Sequence, residues 1–305
     1  MNKKIAFLFL TLDNVNFPTI WEKYFSGNED KYTVYCHPKY PDKVTVNWLK
    51  SNIISNLVET GWGYIVGAYH QLLLEAYSDT NNYKFVTISE SCLPLKTFDQ
   101  FYGELFDDDI KTSYIKFMEI KQYDISERIR VNAGYQNYNF HKHYARFCLS
   151  RYHVEKLLKK VNDFKFFEHM HIGDEFFLTM LEPYDSYVKD FAITYDNWEY
   201  VIEKRKNVNR KIKKLYTEME NIDKKRNKCN KCVKCSDCIK YNKLKEEIHD
   251  LQVMRDDFSK NPKSYSEVTL EDINDVKKIN SFFWRKFPKN SNVEKFYLDN
   301  QCCLK

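Results

Sequence analysis

The chain has 305 residues, 43% of them hydrophobic and 16% aromatic, with 23 Tyr and 22 Phe but only 7 Gly and 7 Pro. That composition excludes a disordered, fibrous or linker-rich protein, and it supplies a core for one large domain or one and a half. A net charge of +5 from 48 basic and 43 acidic residues is too mild for a general nucleic-acid coat.

The N-terminus, MNKKIAFLFLTLDN, has a charged start and the short apolar run IAFLFL (5–10). The run is shorter than the apolar region of a signal peptide and far short of a membrane span, so it reads as a first buried strand. YTVYCH (32–37) and YKFVTIS (83–89) read as further strands. Between them GYIVGAYHQLLLEAYSD carries apolar residues at helical spacing. Strand, helix, strand predicts an open α/β sheet. A helix is expected in YHVEKLLKKV (152–161), and another from Asp174 to Leu181. No stretch is long enough to cross a bilayer, so the expectation is a soluble chain without a built-in anchor.

Just before that last segment, EHMHIGDEFF (168–177) poses a choice. His169, His171 and Asp174 have the side chains of a metal site. Glu175, at the head of the apolar run FFLTML, looks like a lone acid placed for proton transfer.

From Val201 to Ser259 the character changes. Lys, Arg, Asn and Glu dominate, and the apolar residues thin to a stripe of Val208, Ile212, Leu215, Met219 and Ile222, answered by Leu244, Ile248, Leu251 and Met254. This predicts an inserted basic helical hairpin over 201–259, between a catalytic domain at 1–200 and its C-terminal part at 260–305. The stripe resembles a coiled-coil seam, which makes the hairpin a candidate homodimer arm.

The hairpin tip holds Cys229, Cys232, Cys235 and Cys238 at CxxCxxCxxC spacing. Successive knuckles offer thiolates to one structural zinc ion, although most zinc sites separate the two pairs by a longer loop. An iron–sulfur cluster and, in an oxidising compartment, disulfides stay open as alternatives. Cys36, Cys92 and Cys148 sit in apolar segments and read as small core residues. Nine cysteines, an odd number, do not make a complete disulfide framework, which tilts the expectation toward a reducing, cytoplasmic compartment. The Lys- and Asn-rich composition suits a large DNA virus or another AT-rich genome, hence host cytoplasm or virion.

Several segments, in order, resemble the Core-2/I-branching glycosyltransferases, a family that includes branching N-acetylglucosaminyltransferases and peptide O-xylosyltransferases. They are KIAFLFL, VYCHPK (34–39), TGWGYIVGAYHQLLLEA (60–76), FVTISESCLPLKTF (85–98), KHYARFCLSRYHV (142–154), GDEFFLTML (173–181), ITYDNWEY (193–200) and SFFWRKF (281–287). ISESCLPL and GDEFFLTML are the most specific. The resemblance implies a GT-A-like nucleotide-sugar-binding α/β fold with a mixed central sheet, and inverting transfer from a UDP-sugar to a hydroxyl of a glycan or glycoprotein acceptor. It also implies that catalysis needs no metal cofactor.

Transfer from a nucleotide diphosphate passes through an oxocarbenium-like state, and a diphosphate leaves without a proton. One carboxylate therefore suffices to deprotonate the acceptor, while separate cations meet the charge growing on the leaving group. By the resemblance Glu175 is the general base; Asp174 reads as the helix cap or first-turn acid. Lys286 meets the diphosphate, Arg285 assists, and Lys263 in NPKSY is a looser second cation. Glu90, Ser91 and Trp62 fall on the donor side. Where some relatives carry an acid two residues before the proline of ISESCLPL, this chain has Cys92, which leaves donor identity open. Trp198 and Tyr200 align with acceptor-cleft aromatics, and Arg128, with Arg130, is placed to reach an anionic or hydroxyl-rich acceptor. FDDDIK (106–111) formally satisfies the Asp-x-Asp metal motif but sits in a polar turn after ISESCLPL. The competing reading is a nucleic-acid- or protein-binding module that uses the Cys-rich hairpin on a transferase-like scaffold.

Overall fold

The structure is a computed structural model and describes residues 3–118, 140–181, 185–226, 236–258 and 262–299. The chain divides into a larger unit, Met1–Tyr195 with Tyr265–Lys305, and a smaller one, Asp196–Ser264.

The larger unit is built on a six-stranded mixed sheet. Its strands are β1 (Lys4–Thr11), β2 (Tyr32–Pro38), β3 (Asn82–Ser89), β5 (Ser113–Ile115), β8 (Cys148–Ser150) and β9 (Val188–Asp190), in the order β2-β1-β3-β8-β5-β9. β2, β1 and β3 run parallel, and β8 is antiparallel to both β3 and β5. The apolar run of β1 follows from this position: a central parallel strand is covered on both faces, so it needs continuous rather than alternating hydrophobicity. Ile5, Phe7 and Phe9 enter one core with Trp21, Tyr24, Phe25, Phe98 and Phe101, whereas Ala6 and Leu8 enter the other with Tyr69, Leu72, Leu73, Phe164 and Phe177. Helices Pro18–Phe25 and Phe98–Asp107 cover the first face; Val66–Ser78, Arg151–Leu158 and Val161–His169 cover the second. This three-layer α/β arrangement is consistent with the GT-A-like expectation. Cys36, Cys92 and Cys148 are fully buried core residues, as their apolar surroundings in the sequence imply.

Two smaller sheets complete the unit. One pairs β6 (Phe117–Met118) with β7 (Lys142–His143); the other has the order β10-β11-β4, from Thr194–Asp196, Phe283–Arg285 and Leu93–Pro94. Around β11 and β4 lies a third core of Leu93, Tyr265, Trp284, Phe287 and Tyr297.

The expected helix from Asp174 to Leu181 is absent. Two 3-10 turns, Gly173–Glu175 and Phe177–Met180, stand there instead, broken at Phe176 with φ −132°. Phe176, Phe177 and Leu178 are all fully buried, so the segment has no solvent face of the kind an amphipathic helix keeps. Tertiary bonds also hold the segment: its Leu178 N–H donates to His143 Nε2 at 3.2 Å, and the Thr179 hydroxyl Oγ1 accepts from His141 N–H at 2.9 Å.

In the smaller unit, helices Trp198–Arg226 and Ser236–Phe258 pack along Ile212, Met219, Ile222, Leu244, Ile248 and Leu251, flanked by Val208, Leu215 and Tyr241. The sequence stripe is thereby used within the unit, helix against helix. Met254 is the exception: it is 45% exposed and does not join this core. Lys211–Glu247 and Lys240–Glu218 ion pairs lace the two helices at 3.3 and 2.6 Å. Cys238 is buried on the second helix, while Cys229, Cys232 and Cys235 lie outside the described residues. Among the described residues, no helix is long and apolar enough to cross a membrane.

Candidate active site

The carboxyl ends of parallel strands are where open α/β sheets bind ligands, because the chain turns away there and leaves backbone groups and a crevice. In this sheet Leu10 of β1 pairs with His37 and with Ser89, which puts the Thr11–Asn16, Pro38–Tyr40 and Ser89–Cys92 segments at one edge. The antiparallel β8 brings its amino-terminal side to the same edge: Thr87 N–H donates to Phe147 O at 3.1 Å, so Arg146 follows just beyond. β7, holding Lys142 and His143, continues outward through Tyr144 N–H donating to Lys116 O.

The GDE turn hangs from this edge. Ile172 adopts the left-handed conformation, φ 58°, and its N–H donates to Gly63 O at 2.7 Å. Gly173 leaves no choice of residue, since a Cβ there would stand 2.1 Å from Phe167 O. Glu175 N–H donates back to Ile172 O at 3.0 Å. With the backbone so held, the Glu175 carboxylate is 30% exposed and paired with Lys142 Nζ at 2.9 Å. Its neighbour Asp174 is buried, and Asp174 Oδ1 has no hydrogen-bond partner. Burial, and secondarily the charge of Glu175, push the Asp174 carboxyl up to about 6, against a smaller opposing pull from Arg146. Asp174 is therefore a buried acid beside the exposed one. Ile172 takes the cap position, so Asp174 is an acid of the first turn of a 3-10 segment instead of a helix cap.

In the same neighbourhood Tyr69 binds Arg146. Its hydroxyl donates to Ala145 O at 3.0 Å and accepts from Arg146 Nη1 at 2.7 Å. Burial raises this hydroxyl to about 12, with Arg146 and Arg285 acting in the opposite direction and Asp174 adding to the rise. Arg285, Arg146 and Asp174 thus share one electrostatic neighbourhood around Tyr69. Arg285 ends β11, which is joined to the Ser89–Cys92 turn by Phe287 N–H donating to Ser91 O at 3.1 Å. Asn16 closes the ring: its N–H donates to Glu90 O at 2.9 Å and its side-chain amide to Phe287 O at 2.6 Å. The backbone of Lys286 is fixed by Tyr265 N–H donating to its carbonyl at 2.9 Å.

Glu175, Arg285, Lys286, Glu90 and Ser91 therefore all belong to the larger unit. Glu90 is half-buried, whereas Ser91 is buried, with its hydroxyl 3.3 Å from that of Ser89. Trp62 is 72% exposed and packs against His171 at 5.4 Å between ring centroids. Trp198, Tyr200 and Lys263 fall in the smaller unit, where Lys263 and Lys204 lie over the Tyr200 ring at 5.1 and 4.5 Å. Arg128 and Arg130 lie outside the described residues. His169 and His171 are exposed, and among the described residues no three His, Cys, Asp or Glu side chains converge as a metal-ligand set. In FDDDIK, Asp108 is occupied by Lys189 at 2.9 Å and by the Tyr114 hydroxyl at 2.6 Å. Sequence reasoning missed Lys142, Arg146 and Tyr69. The first two stand in KHYARF, where nothing in the spacing marks a partner more than thirty residues away.

The chain matches the family model of the Core-2/I-branching enzyme over residues 5–224. It is similar to glycosyltransferase BC10 of Oryza sativa subsp. japonica, at 25% identity over 167 residues, which are 52% of this chain. The match spans 41% of that relative's length. With the model covering β1 through most of the first helix of the smaller unit, the chain belongs to the Core-2/I-branching enzyme family.

Proposed function

We propose that the protein is an inverting glycosyltransferase that moves a sugar from a UDP-sugar to a hydroxyl of a glycan or glycoprotein acceptor, with fixed cations in place of a catalytic metal. The carrying observation is the Glu175 carboxylate, held on a turn that admits no freedom and kept partly open to solvent, at the carboxyl edge of the parallel strands. In this reading Glu175 takes the proton of the acceptor hydroxyl as its oxygen attacks the anomeric carbon from the face opposite the diphosphate. The bond from that carbon to the diphosphate oxygen breaks, and its electron pair leaves with the phosphate. Arg285 and Lys286 meet the charge that develops there, and Lys142 fixes the orientation of the Glu175 carboxylate. Similarity to a protein named as a glycosyltransferase supports the reaction class.

Replacing Glu175 by Gln keeps the shape and removes the base. Transfer is expected to fall by about 10²–10⁴-fold, while UDP affinity, read by thermal shift in the presence of EDTA, stays within about twofold of the wild-type value. Turnover at the wild-type rate in Glu175→Gln would remove the residue from this role. Loss of UDP binding on chelation would instead replace the cations by a metal.

A further inference from the structure

The most exposed large apolar side chain among the described residues is Trp62, at 72%. An indole left in water is costly, and it is normally found either on a loose segment or where something covers it. The segment here is tightly built. Gly61 and Tyr64 exchange backbone hydrogen bonds at 3.2 and 3.0 Å, closing a two-residue turn with Trp62 and Gly63 at its tip. Gly63 takes φ +77°, and a Cβ on it would meet the His171 ring at 3.0 Å. The turn is bolted to the GDE segment by Ile172 N–H donating to Gly63 O. Val58 N–H donates to His37 Nε2 at 3.0 Å, which fixes the approach to the turn at the carboxyl end of β2.

Trp62 does not stand alone. His171 lies 5.4 Å from the Trp62 ring and 5.4 Å from the Tyr64 ring, making an aromatic ridge three residues before Asp174 in the chain. Tyr64, 46% exposed, also lines a cavity of about 450 Å³ whose polar wall includes Glu59, Glu168 and His169. A flat ring surface beside carboxylates and an imidazole is what a pyranose requires, since its C–H face is apolar and its hydroxyls donate in pairs to carboxylate oxygens. A lipid chain would use the rings but leave the acid groups unpaired.

We infer that the Trp62–Tyr64–His171 ridge and the adjoining acidic cavity form a subsite for a sugar unit of the acceptor glycan, beyond the unit whose hydroxyl reacts. This assignment rests on the proposed transfer function, and it moves Trp62 from the donor side to the acceptor side. The hydrogen bond from Ile172 to Gly63 ties the subsite to the base: a sugar seated on Trp62 is referenced to the same short turn that carries Glu175.

The test uses the full-length protein and three probes, N,N′-diacetylchitobiose, lactose and xylobiose, followed by saturation-transfer NMR and tryptophan fluorescence with and without saturating UDP. At least one disaccharide is expected to bind with its ring protons saturated. Trp62→Ala is expected to weaken that binding at least tenfold, Trp62→Phe by threefold or less, and neither is expected to move UDP affinity. Absence of binding by all three at 20 mM overturns the proposal, as does undiminished binding in Trp62→Ala. An equal loss of UDP affinity would return Trp62 to the donor. A change in sedimentation coefficient with saccharide binding unaltered would make the ridge a self-association contact. Failure of the transfer reading itself would show separately, as a protein that binds no UDP.

Discussion

Asp174 illustrates how much a single residue's surroundings decide. Its carboxyl is pushed from the ordinary 3.8 to about 6 by burial first and by Glu175 second. A folded-state value above the unfolded one means that the native state binds the proton more tightly. The penalty is absent below pH 3.8, grows through the interval and is complete above about 6. A shift of this size corresponds to roughly 3 kcal/mol at neutral pH. Asp174→Asn removes the charge and keeps the shape, so its melting temperature is expected to exceed that of the wild type at pH 7.5, with the advantage shrinking toward pH 4.5. Differential scanning calorimetry at the two pH values checks this, and an advantage equal at both would mean that charge is not the cause. Nothing in GDEFF discloses this burial: Asp174 and Glu175 are adjacent acids, and only the fold turns one inward and leaves the other at the surface.

At the scale of elements, the period of the sequence was a good guide wherever an element keeps two distinct faces or two equivalent ones. The strands β1, β2 and β3 are bounded within a residue or so of the expected ones, most plainly β1, which is covered on both sides and continuously apolar. The long helices of the smaller unit are legible for the opposite reason, a narrow stripe on a charged background. Truncating that stripe at Ile248, 4% exposed, to Ala is expected to cost about 2–5 kcal/mol. The readout is loss of helical signal at lower temperature in the intact protein, and an unchanged melting profile would refute the packing described for this seam. The GDE segment was not legible as turns. A short continuous apolar run does not by itself separate helix from turn, and one backbone bond a helix would need, that of Leu178 N–H, goes to His143, more than thirty positions away in sequence.

For the molecule as a whole, the central strands should set the limit of stability. Ile5 to Phe9 are fully buried and β1 is hydrogen-bonded on both sides, so the amides of β1 and of its neighbour β3 are expected to exchange most slowly and only through global opening. Hydrogen exchange followed by mass spectrometry reads this directly, and faster exchange in β1 than in the outlying strand β9 would contradict it. The family and the α/β class were legible because they are written in short ordered motifs. Lys142, Arg146 and Tyr69 were not, because their placement depends on which strand ends and which helix share an edge. Ile172 carries a further consequence for the whole molecule. A β-branched residue in the left-handed region costs about 1–2 kcal/mol, and Asn tolerates that conformation better. A selection for heat resistance should therefore favour Ile172→Asn, which keeps the backbone bond to Gly63 and the turn that carries Glu175 while lowering the strain stored in it.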